Sequence, residues 1–198
     1  MFPDNLTARA DELIALLRGK QMMLATAESC TGGLIAGLIT SVSGSSDVLD
    51  CGFVTYSNAA KARMIGVPPE LIAEHGAVSE QVARAMAEGA LANSSADVAV
   101  AVTGVAGPGG GSPEKPVGLV HCAAARIGFP TLHRVLQLGN IGREQVRLET
   151  VRAAVEMAYE IAGPESARAR SSKADMTLRT AMSNMPDRTI CSILLLSV

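Results

Sequence analysis

The stretch DVAVAVT, residues 97–103, decides the fold class of this 198-residue chain. After Asp97 its side chains are small or β-branched and mostly apolar, a pattern typical of a strand buried in the middle of a sheet. A glycine-rich segment, residues 104–115, follows at once and predicts a loop at the carboxyl end of that strand. The sheet must therefore extend on both sides of residues 97–103 and be covered by other elements.

The segments after this loop predict a hairpin and a long helix. Residues 117–126 and 131–138 have the composition of strands, and the short link Gly128-Phe129-Pro130 makes them an antiparallel pair. Residues 142–161 predict a helix with one apolar face, which Gly163-Pro164 ends.

The segments before residues 97–103 alternate between strand and helix. Strands are predicted at residues 22–27 and 48–56. Asp4 or Asn5 is the expected cap of a first helix, Ser79 is the expected cap of a later one, and Gly66 with Pro68-Pro69 interrupts the helical pattern between them. The predicted helices cover residues 4–20, 34–40, 58–64 and 80–93. The sequence therefore predicts an α/β fold with a mixed five-stranded sheet covered on both sides.

Composition and charge exclude several classes of protein. Hydrophobic residues make up 48% and charged residues 18%, which excludes disorder over most of the chain. A formal net charge of −2, with three Phe, two Tyr and no Trp, argues against nucleic-acid binding. The four cysteines form no Cys-x-x-Cys pair and the three histidines stand apart, so we expect no metal site.

Residues 1–163 are expected to form one domain, and residues 164–198 a poorly ordered tail that is rich in Ser, Arg and Met before an apolar end. The N-terminus has no basic start followed by an apolar run, and no apolar stretch reaches membrane-spanning length. We therefore expect a cytoplasmic protein with reduced thiols and no membrane partner. The sequence leaves association into a homo-oligomer open.

The segment TAESCTGG, residues 26–33, is the first candidate for chemistry. It joins a predicted strand to a predicted helix, and the backbone amides at a helix N-terminus can hold an anion or stabilise an oxyanion. Ser29 can act there as a nucleophile if a base lies within hydrogen-bonding reach. The alternative is that Ser29 or Thr31 only caps the helix.

No histidine is an obvious partner for Ser29, so a lysine with a lowered pKa is the candidate base. Lys61 follows the strand end TYSN, residues 55–58, in a stretch of small residues. The alternative for Lys61 is a solvated helix lysine. Cys30 is a second candidate nucleophile, although a small buried thiol is the commoner role for such a residue.

The loop TGVAGPGGGS, residues 103–112, is the candidate for binding a phosphate. Its glycines allow backbone amides to approach a ligand closely, although it matches neither a Walker loop nor the dinucleotide fingerprint. The alternative is a mobile connection. Arg143, at the start of the last predicted helix, can bind an anion with help from the helix dipole or can simply be exposed.

Taken together, these motifs resemble the CinA C-terminal domain family. The resemblance extends over about residues 5–162 and is carried by TAESCTGG (26–33), GFVTYSN (52–58) with Lys61, GAVS (76–79), TGVAGP (103–108) and KPVG (115–118). It implies a three-layer α/β/α fold. It also implies nicotinamide-nucleotide amidase activity, in which nicotinamide mononucleotide (NMN) is hydrolysed to nicotinate mononucleotide and ammonia during pyridine-nucleotide (NAD) recycling.

The resemblance further implies a serine–lysine mechanism without metal or cofactor. It makes Ser29 the nucleophile and Lys61 its base, and it places Tyr56, Thr103 and Arg143 among the active-site residues. One departure concerns the segment before the last helix, where the family commonly has Gly-Asp-Arg and this chain has Ile141-Gly142-Arg143. Many members also carry an N-terminal nucleotide-pyrophosphatase domain, whereas we expect this chain to be a stand-alone amidase.

We therefore expect Ser29 and Lys61 to perform the chemistry, and Tyr56 and Thr103 to orient that pair or the pyridinium ring. The amides around Cys30 are expected to stabilise the oxyanion, and Arg143 with the glycine-rich loop to hold the phosphate. The full set of expected substrate-binding residues is Cys30, Thr31, Gly32, Gly33, Ala106, Gly107, Gly110, Gly111 and Arg143. The alternative function is a nucleotide-binding regulatory module without turnover, which would not need Ser29 and Lys61 together.

Overall fold

A computed structural model describes residues 2–163 and contains one five-stranded mixed sheet within them. The strand order is β2-β1-β3-β4-β5, in which the first three strands are parallel and the last two are antiparallel to their neighbours. The strands are β1 (Leu24–Glu28), β2 (Leu49–Val54), β3 (Val98–Gly104), β4 (Leu119–Arg126) and β5 (Leu132–Gln137). The predicted central position of β3 and the predicted antiparallel hairpin of β4 with β5 are both confirmed.

Helices cover both faces of the sheet and complete three layers, as predicted. The helices are α1 (Asp4–Gly19), α2 (Leu34–Thr40), α3 (Asn58–Ile65), α4 (Pro69–His75), α5 (Glu80–Ala92) and α6 (Arg143–Ala162), with a short 3₁₀ turn at Ser45–Asp47. The apolar faces of α1, α2 and α6 pack on one side of the sheet. Those of α3, α4 and α5 pack on the other side.

The sequence of β3 explains why two layers can cover it. Its valines, Val98, Val100 and Val102, belong to the core shared with α1, α2 and α6. The intervening Ala99 and Ala101 belong to the core shared with α5. Because successive side chains of a strand point to opposite faces, an uninterrupted apolar run is what a strand buried on both faces requires.

One sequence expectation about helix ends was wrong. Neither Asp4 nor Asn5 caps α1, because Pro3 occupies the N-cap position and Asp4 lies in the first turn, where its negative charge interacts favourably with the helix dipole. The predicted interruption at Gly66 and Pro68-Pro69 is confirmed, because α3 ends at Ile65, but a further helix, α4, begins at Pro69 and was not predicted. Proline is tolerated in the first turn of a helix because its missing N–H would have no intrahelical partner there. By contrast, Ser79 caps α5 as predicted, and its Oγ accepts from the amide of Val82.

The connections leave a crevice at the carboxyl ends of β1 and β2. From β1 the chain passes through α2, on one face, to β2, and it reaches β3 through α3, α4 and α5 on the other face. Neighbouring parallel strands whose connections leave on opposite faces form a switch point, where ligands of open α/β sheets commonly bind. The segment with Ser29 starts at this point, and the glycine-rich loop starts beside it, at the end of β3. Within residues 2–163, no helix has the length and apolar character needed to span a bilayer.

Candidate active site

Ser29 is the first residue after β1, and hydrogen bonds to both its amide and its carbonyl fix its backbone. Its amide donates to the carbonyl of Val102 on β3 (3.1 Å), and its carbonyl accepts from the amide of Gly32 (3.1 Å). The second bond closes a tight turn over residues 29–32. Gly32 and Gly33 have φ of +62° and +100°, a conformation that side chains disfavour, so the glycines allow the chain to turn directly into α2.

Lys61 lies beside Ser29, although the two are far apart in sequence. Its Nζ is 3.1 Å from Ser29 Oγ and donates to the carbonyl of Thr55 at 2.9 Å. Lys61 comes from the first turns of α3, which Ser57 starts by accepting a hydrogen bond from the amide of Ala60 (3.1 Å). The side chain is 1% exposed, so Lys61 is not the solvated helix lysine that the sequence left open.

Burial changes the acid–base behaviour of Lys61. The low polarity of its surroundings penalises the ammonium form and lowers the pKa of Lys61 below its ordinary value. No carboxylate among residues 2–163 forms an ion pair with Lys61 that would restore the charge. A neutral amine at this place can accept the Ser29 proton, which is the chemistry that a serine nucleophile requires.

Cys30 is a poor alternative nucleophile. Its side chain is 6% exposed, and burial raises the pKa of its thiol to about 11. The thiolate is the reactive form of cysteine, so a raised pKa leaves very little of it at neutral pH. Cys30 therefore contributes packing and a backbone amide to this region.

Glu28 is a functional residue that the sequence analysis missed. Its carboxylate is 1% exposed and accepts from the hydroxyl of Thr31 (2.7 Å). It also accepts from the first amides of α2, those of Gly33 (3.0 Å), Ile35 (3.0 Å) and Ala36 (2.9 Å). Glu28 thus fills the capping role that the sequence left open as an alternative for Ser29 or Thr31, and neither of those side chains accepts from an amide of α2. No local signal identified this cap, because Glu28 lies in the strand before the turn.

The Glu28 cap narrows the choice of amides that can stabilise an oxyanion. The amide of Gly33 is occupied by Glu28, and that of Gly32 by the carbonyl of Ser29. Among residues 2–163, the amides of Cys30 and Thr31 have no oxygen acceptor. Thr31 is fully buried, so the amide of Cys30, the residue that directly follows Ser29, is the remaining candidate for an oxyanion hole.

Arg143 brings the predicted residues of two other segments together. Its Nη1 donates to the carbonyl of Gly107 (2.9 Å) and its Nη2 donates to the hydroxyl of Tyr56 (3.2 Å). Tyr56 is 60% exposed, so this contact lies at the mouth of the crevice. Arg143 is the first residue of α6 and follows Gly142, whose φ is +94°. This chain has Gly142 where the family commonly has aspartate, and Arg143 still lies beside the glycine-rich loop.

Thr103 is buried near Ser29 but makes a different contact. β1 and β3 pair in parallel with Glu28 opposite Val102. The next residue of each chain segment, Ser29 and Thr103, therefore lies at the same edge of the sheet. The Thr103 hydroxyl donates to the carbonyl of Ala77 (2.8 Å) and forms no hydrogen bond with Ser29 or Lys61. Thr103 therefore fastens the segment between α4 and α5 to the crevice.

The glycine-rich loop folds back on the first residue of β4, Leu119. The amides of Val105 and Gly118 donate to the carbonyls of Leu119 and Val105, respectively, which ties the two ends of the loop together. Gly107 is buried with φ of +80°, and a Cβ there would lie 2.6 Å from a Val117 methyl group. Of the other predicted contacts, Ala106 is buried and Gly110 and Gly111 are exposed.

A cleft of about 410 Å³ lies between the starts of α2 and α6, next to this loop and to Ser29's turn. Two arginines of α6 line it, so its wall carries positive charge. Its lining residues are Phe2, Leu34, Arg143, Glu144, Arg147 and Leu148. Arg147 was also missed by the sequence analysis, although it follows Arg143 by four residues on a predicted helix and so shares its face.

The sequence and the fold were compared with those of known proteins. The model of the CinA C-terminal domain family matches residues 6–162. A CinA-like protein of Geobacter sp. (strain M21) is 52% identical over 150 residues, which cover 76% of this chain and 36% of that protein. A CinA-like protein of Citrifermentans bemidjiense is 50% identical over 156 residues, which cover 79% of this chain and 37% of that protein. The chain thus spans little more than a third of the length of these curated relatives.

Two crystal structures have the same fold. The competence/damage inducible protein CihA of Agrobacterium tumefaciens has a TM-score of 0.78 and 54% identity, over 79% of this chain and 95% of that one. A competence-damaged protein (CinA) superfamily protein of Escherichia coli has a TM-score of 0.75 and 32% identity, over 81% of this chain and 94% of that one.

Proposed function

The chain belongs to the CinA C-terminal domain family, and from this premise we propose that it is a nicotinamide-nucleotide amidase. Its substrate in this proposal is NMN, its products are nicotinate mononucleotide and ammonia, and it acts in the cytoplasm in pyridine-nucleotide salvage. The observation that carries the proposal is the buried contact of 3.1 Å between Lys61 Nζ and Ser29 Oγ. A non-catalytic nucleotide-binding module has no use for that pair.

Acylation begins with the Ser29 proton. Neutral Lys61 accepts it while Oγ attacks the carboxamide carbon of NMN, and the Thr55 carbonyl keeps Nζ in line. Negative charge develops on the amide oxygen, where the amide of Cys30 stabilises it. Lys61 then passes the proton to the amide nitrogen, the C–N bond breaks, and ammonia leaves an ester on Ser29.

Deacylation repeats these steps with water. Lys61 takes a proton from the attacking water, the same amide stabilises the second tetrahedral intermediate, and the ester C–O bond breaks. The proton returns to Ser29 Oγ, and nicotinate mononucleotide is released. Ser29 and Lys61 are thereby returned to their starting protonation states, and the cycle can begin again.

Arg143 and the glycine-rich loop are proposed to hold the phosphate of NMN. The guanidinium lies at the N-terminus of α6, where its charge and the helix dipole both favour an anion. Its contacts with Gly107 and Tyr56 place it between the loop and the mouth of the crevice. Tyr56 is exposed there and is proposed to contact the pyridinium ring.

Ammonia release from NMN tests the proposal. Purified protein is incubated with NMN, nicotinamide or nicotinamide riboside, and ammonia and nicotinate mononucleotide are measured. We expect turnover of NMN, weaker use of the riboside because it lacks the phosphate, and little use of nicotinamide. Ser29→Ala should lose at least roughly 10³-fold in kcat and still bind NMN, because only the nucleophile is removed. Binding of NMN by the wild-type protein without ammonia release would instead indicate the regulatory module.

A further inference from the structure

The turn that carries Ser29 is held from two sides through a single residue, Thr31. Thr31 is fully buried. Its hydroxyl donates to Glu28 Oε2 at 2.7 Å, and its carbonyl accepts from Arg147 Nη2 at 2.7 Å. Glu28 belongs to β1 and Arg147 to α6, so two separate elements fix the same residue.

The contact with Arg147 fixes the peptide that closes the turn. The Thr31 carbonyl and the Gly32 N–H belong to one planar peptide group. The N–H donates to the carbonyl of Ser29, while the oxygen accepts from Arg147. A rotation of this peptide would break both bonds and would open the turn that carries Ser29. The closure of the turn thus depends on the guanidinium.

Arg147 is not explained by an ordinary structural role. Among residues 2–163 it forms no ion pair, and its buried Nε has no hydrogen-bond partner. An unsatisfied buried donor costs stability, so an aliphatic side chain would fit this part of α6 at lower cost. Such costs are typically found where a residue serves a site. The site that Arg147 contacts is the turn after β1.

We propose that Arg147 is a positioning residue for the amidase reaction, holding the Thr31–Gly32 peptide so that the closed turn keeps Ser29 Oγ beside Lys61 and the Cys30 amide in place for the developing oxyanion. This inference rests on the proposed serine mechanism. Arg147 does not touch the reacting atoms and acts through the turn. Its loss should therefore weaken stabilisation of the transition state more than binding of the substrate, which separates it from a residue that holds the phosphate.

The first experiment measures kcat and KM for NMN in Arg147→Met and Arg147→Lys. Methionine keeps the apolar stem and removes the donor, and kcat should fall on the order of 10- to 100-fold with KM within about twofold. Lysine restores a donor to the carbonyl and should recover a substantial part of kcat. The matched control is Arg152→Met on the same helix, whose side chain pairs with Glu149 at 3.4 Å and which should keep wild-type values.

The second experiment does not depend on NMN. A fluorophosphonate probe reacts when Ser29 Oγ attacks phosphorus, fluoride leaves, and Lys61 takes the serine proton; intact-protein mass measures the rate. The wild-type protein and Arg152→Met should be labelled at the same rate, Arg147→Met about 10- to 100-fold more slowly, and Ser29→Ala not at all. If Arg147→Met does not fold by circular dichroism, Arg147→Gln replaces it, because its shorter amide does not reach the Thr31 carbonyl.

The outcomes separate the two proposals. If the wild-type protein is labelled at Ser29 but releases no ammonia from NMN, the proposed substrate is wrong and the labelling rates still decide the role of Arg147. Wild-type labelling and kcat in a folded Arg147→Met protein would overturn the inference. A raised KM with unchanged kcat would also overturn it, since Arg147 would then bind substrate. Absence of labelling in the wild-type protein would overturn it as well, because the turn would hold no active nucleophile.

Discussion

At the scale of single residues, Lys61 shows how a function can oppose stability. Lys61 is 1% exposed and has no carboxylate partner among residues 2–163, so burial disfavours its charged form. The free energy of unfolding is therefore reduced at any pH at which the unfolded chain would keep this lysine protonated and the folded chain would not. Glu28 is also deeply buried, but three amides and two hydroxyls compensate its carboxylate. Lys61 is therefore the group at the candidate site that lowers the stability of the fold, and it is the group that the proposed chemistry needs.

Replacing Lys61 by methionine should therefore stabilise the fold while abolishing activity. The pKa of Lys61 is lowered in the folded state, so below pH 10.5 the unfolded chain binds a proton that the folded chain does not. The stability lost in this way increases as the pH falls from 10.5 towards the folded pKa. Lys61→Met removes the loss, and its Tm at pH 7 should exceed the wild-type value by several degrees, with a smaller difference near pH 10.5.

Thermal unfolding followed by circular dichroism at pH 7 and pH 10 measures this effect. Arg63→Met on the same helix is the matched control, since its exposed side chain should leave Tm almost unchanged at both pH values. A Tm of Lys61→Met at or below the wild-type value at pH 7 would contradict the prediction.

Lys61→Arg should be almost as inactive as Lys61→Ala, because arginine keeps the charge but cannot give up its proton. In the wild-type enzyme, the acid limb of the kcat/KM profile reports the base of the free enzyme. Since burial lowers the pKa of Lys61, that limb should lie below the ordinary pKa of a lysine. Substantial activity of Lys61→Arg would make residue 61 an electrostatic group and would require another base.

Arg143→Ala should raise KM for NMN about 10- to 100-fold with a smaller change in kcat, because a charged hydrogen bond to phosphate contributes about 1.5–3 kcal/mol to ground and transition states alike. Steady-state ammonia release measures both constants. Tyr56→Phe serves as a comparison that removes only the hydroxyl partner of Arg143 and should raise KM less. An unchanged KM in Arg143→Ala would remove Arg143 from the phosphate site.

The sequence predicted single residues of the candidate site unevenly. Ser29 and Lys61 were named together through the family resemblance, because spacing alone does not place residues of a turn and of a later helix in contact. Glu28 and Arg147 were missed since both act across elements, one from a strand to the next helix and one from α6 to the turn. Long-range contacts of this kind leave no local pattern in a single sequence.

At the scale of elements, the close packing of α5 on α3 depends on Gly89. A Cβ at this position would collide with the carbonyl oxygen of Ile65, the last residue of α3. Gly→Ala inside a helix usually gains about 1 kcal/mol, yet here α3 or α5 would have to shift. Because α3 carries Lys61, such a shift would also disturb the contact with Ser29.

Gly89→Ala should therefore destabilise the protein by about 2 kcal/mol, lowering Tm by roughly 4–8 °C, and should reduce NMN turnover. Thermal unfolding and ammonia release measure the two effects. Gly37→Ala in α2 is the matched control, because the nearest atom to its Cβ would be Phe2 Cζ at 3.9 Å, an ordinary contact. Equal or higher Tm in Gly89→Ala than in Gly37→Ala would show that α3 and α5 do not require this glycine.

Elements with a local signal were predicted well, and those governed by context were not. The apolar run of β3 and the short link between β4 and β5 specify their positions directly. Helix α4 was missed because Pro68-Pro69 resembles an interruption, whereas the first turn of a helix accepts proline. The predicted tail, residues 164–198, lies outside the residues that the structure describes.

At the scale of the whole molecule, each layer contributes a different part of the candidate site. The sheet provides Ser29 and Glu28 at the end of β1, the α3–α5 layer provides Lys61, and the α1–α2–α6 layer provides Arg143 and Arg147. The site is therefore complete only when both helical layers are packed on the sheet. This dependence predicts that loss of activity and global unfolding should occur together on heating.

The stability of the whole fold should also depend on a histidine pair where β4 and β5 meet α5. His121 Nδ1 lies 3.0 Å from His133 Nε2, and His133 Nδ1 lies 3.4 Å from Glu80 Oε2. Burial, foremost, lowers the pKa of both histidines; Lys115 near His121 and Arg84 near His133 lower it further, and Glu80 opposes the shift. At neutral pH the two rings therefore share one hydrogen bond in their uncharged forms.

Acidification should weaken the fold through this pair. Below an ordinary histidine pKa of about 6.5, the unfolded chain binds protons at these histidines that the folded chain does not bind. Stability that is present above pH 6.5 is therefore lost as the pH falls. Between pH 7 and pH 5 the Tm of the wild-type protein should fall more steeply than that of the double variant His121→Phe/His133→Phe, which has no such groups to protonate. Thermal unfolding at half-unit pH steps in low-salt buffer measures both slopes. Equal slopes would mean that the pair accepts protons in the folded state as readily as in the unfolded chain, against the effect that burial should have on two adjacent imidazoles.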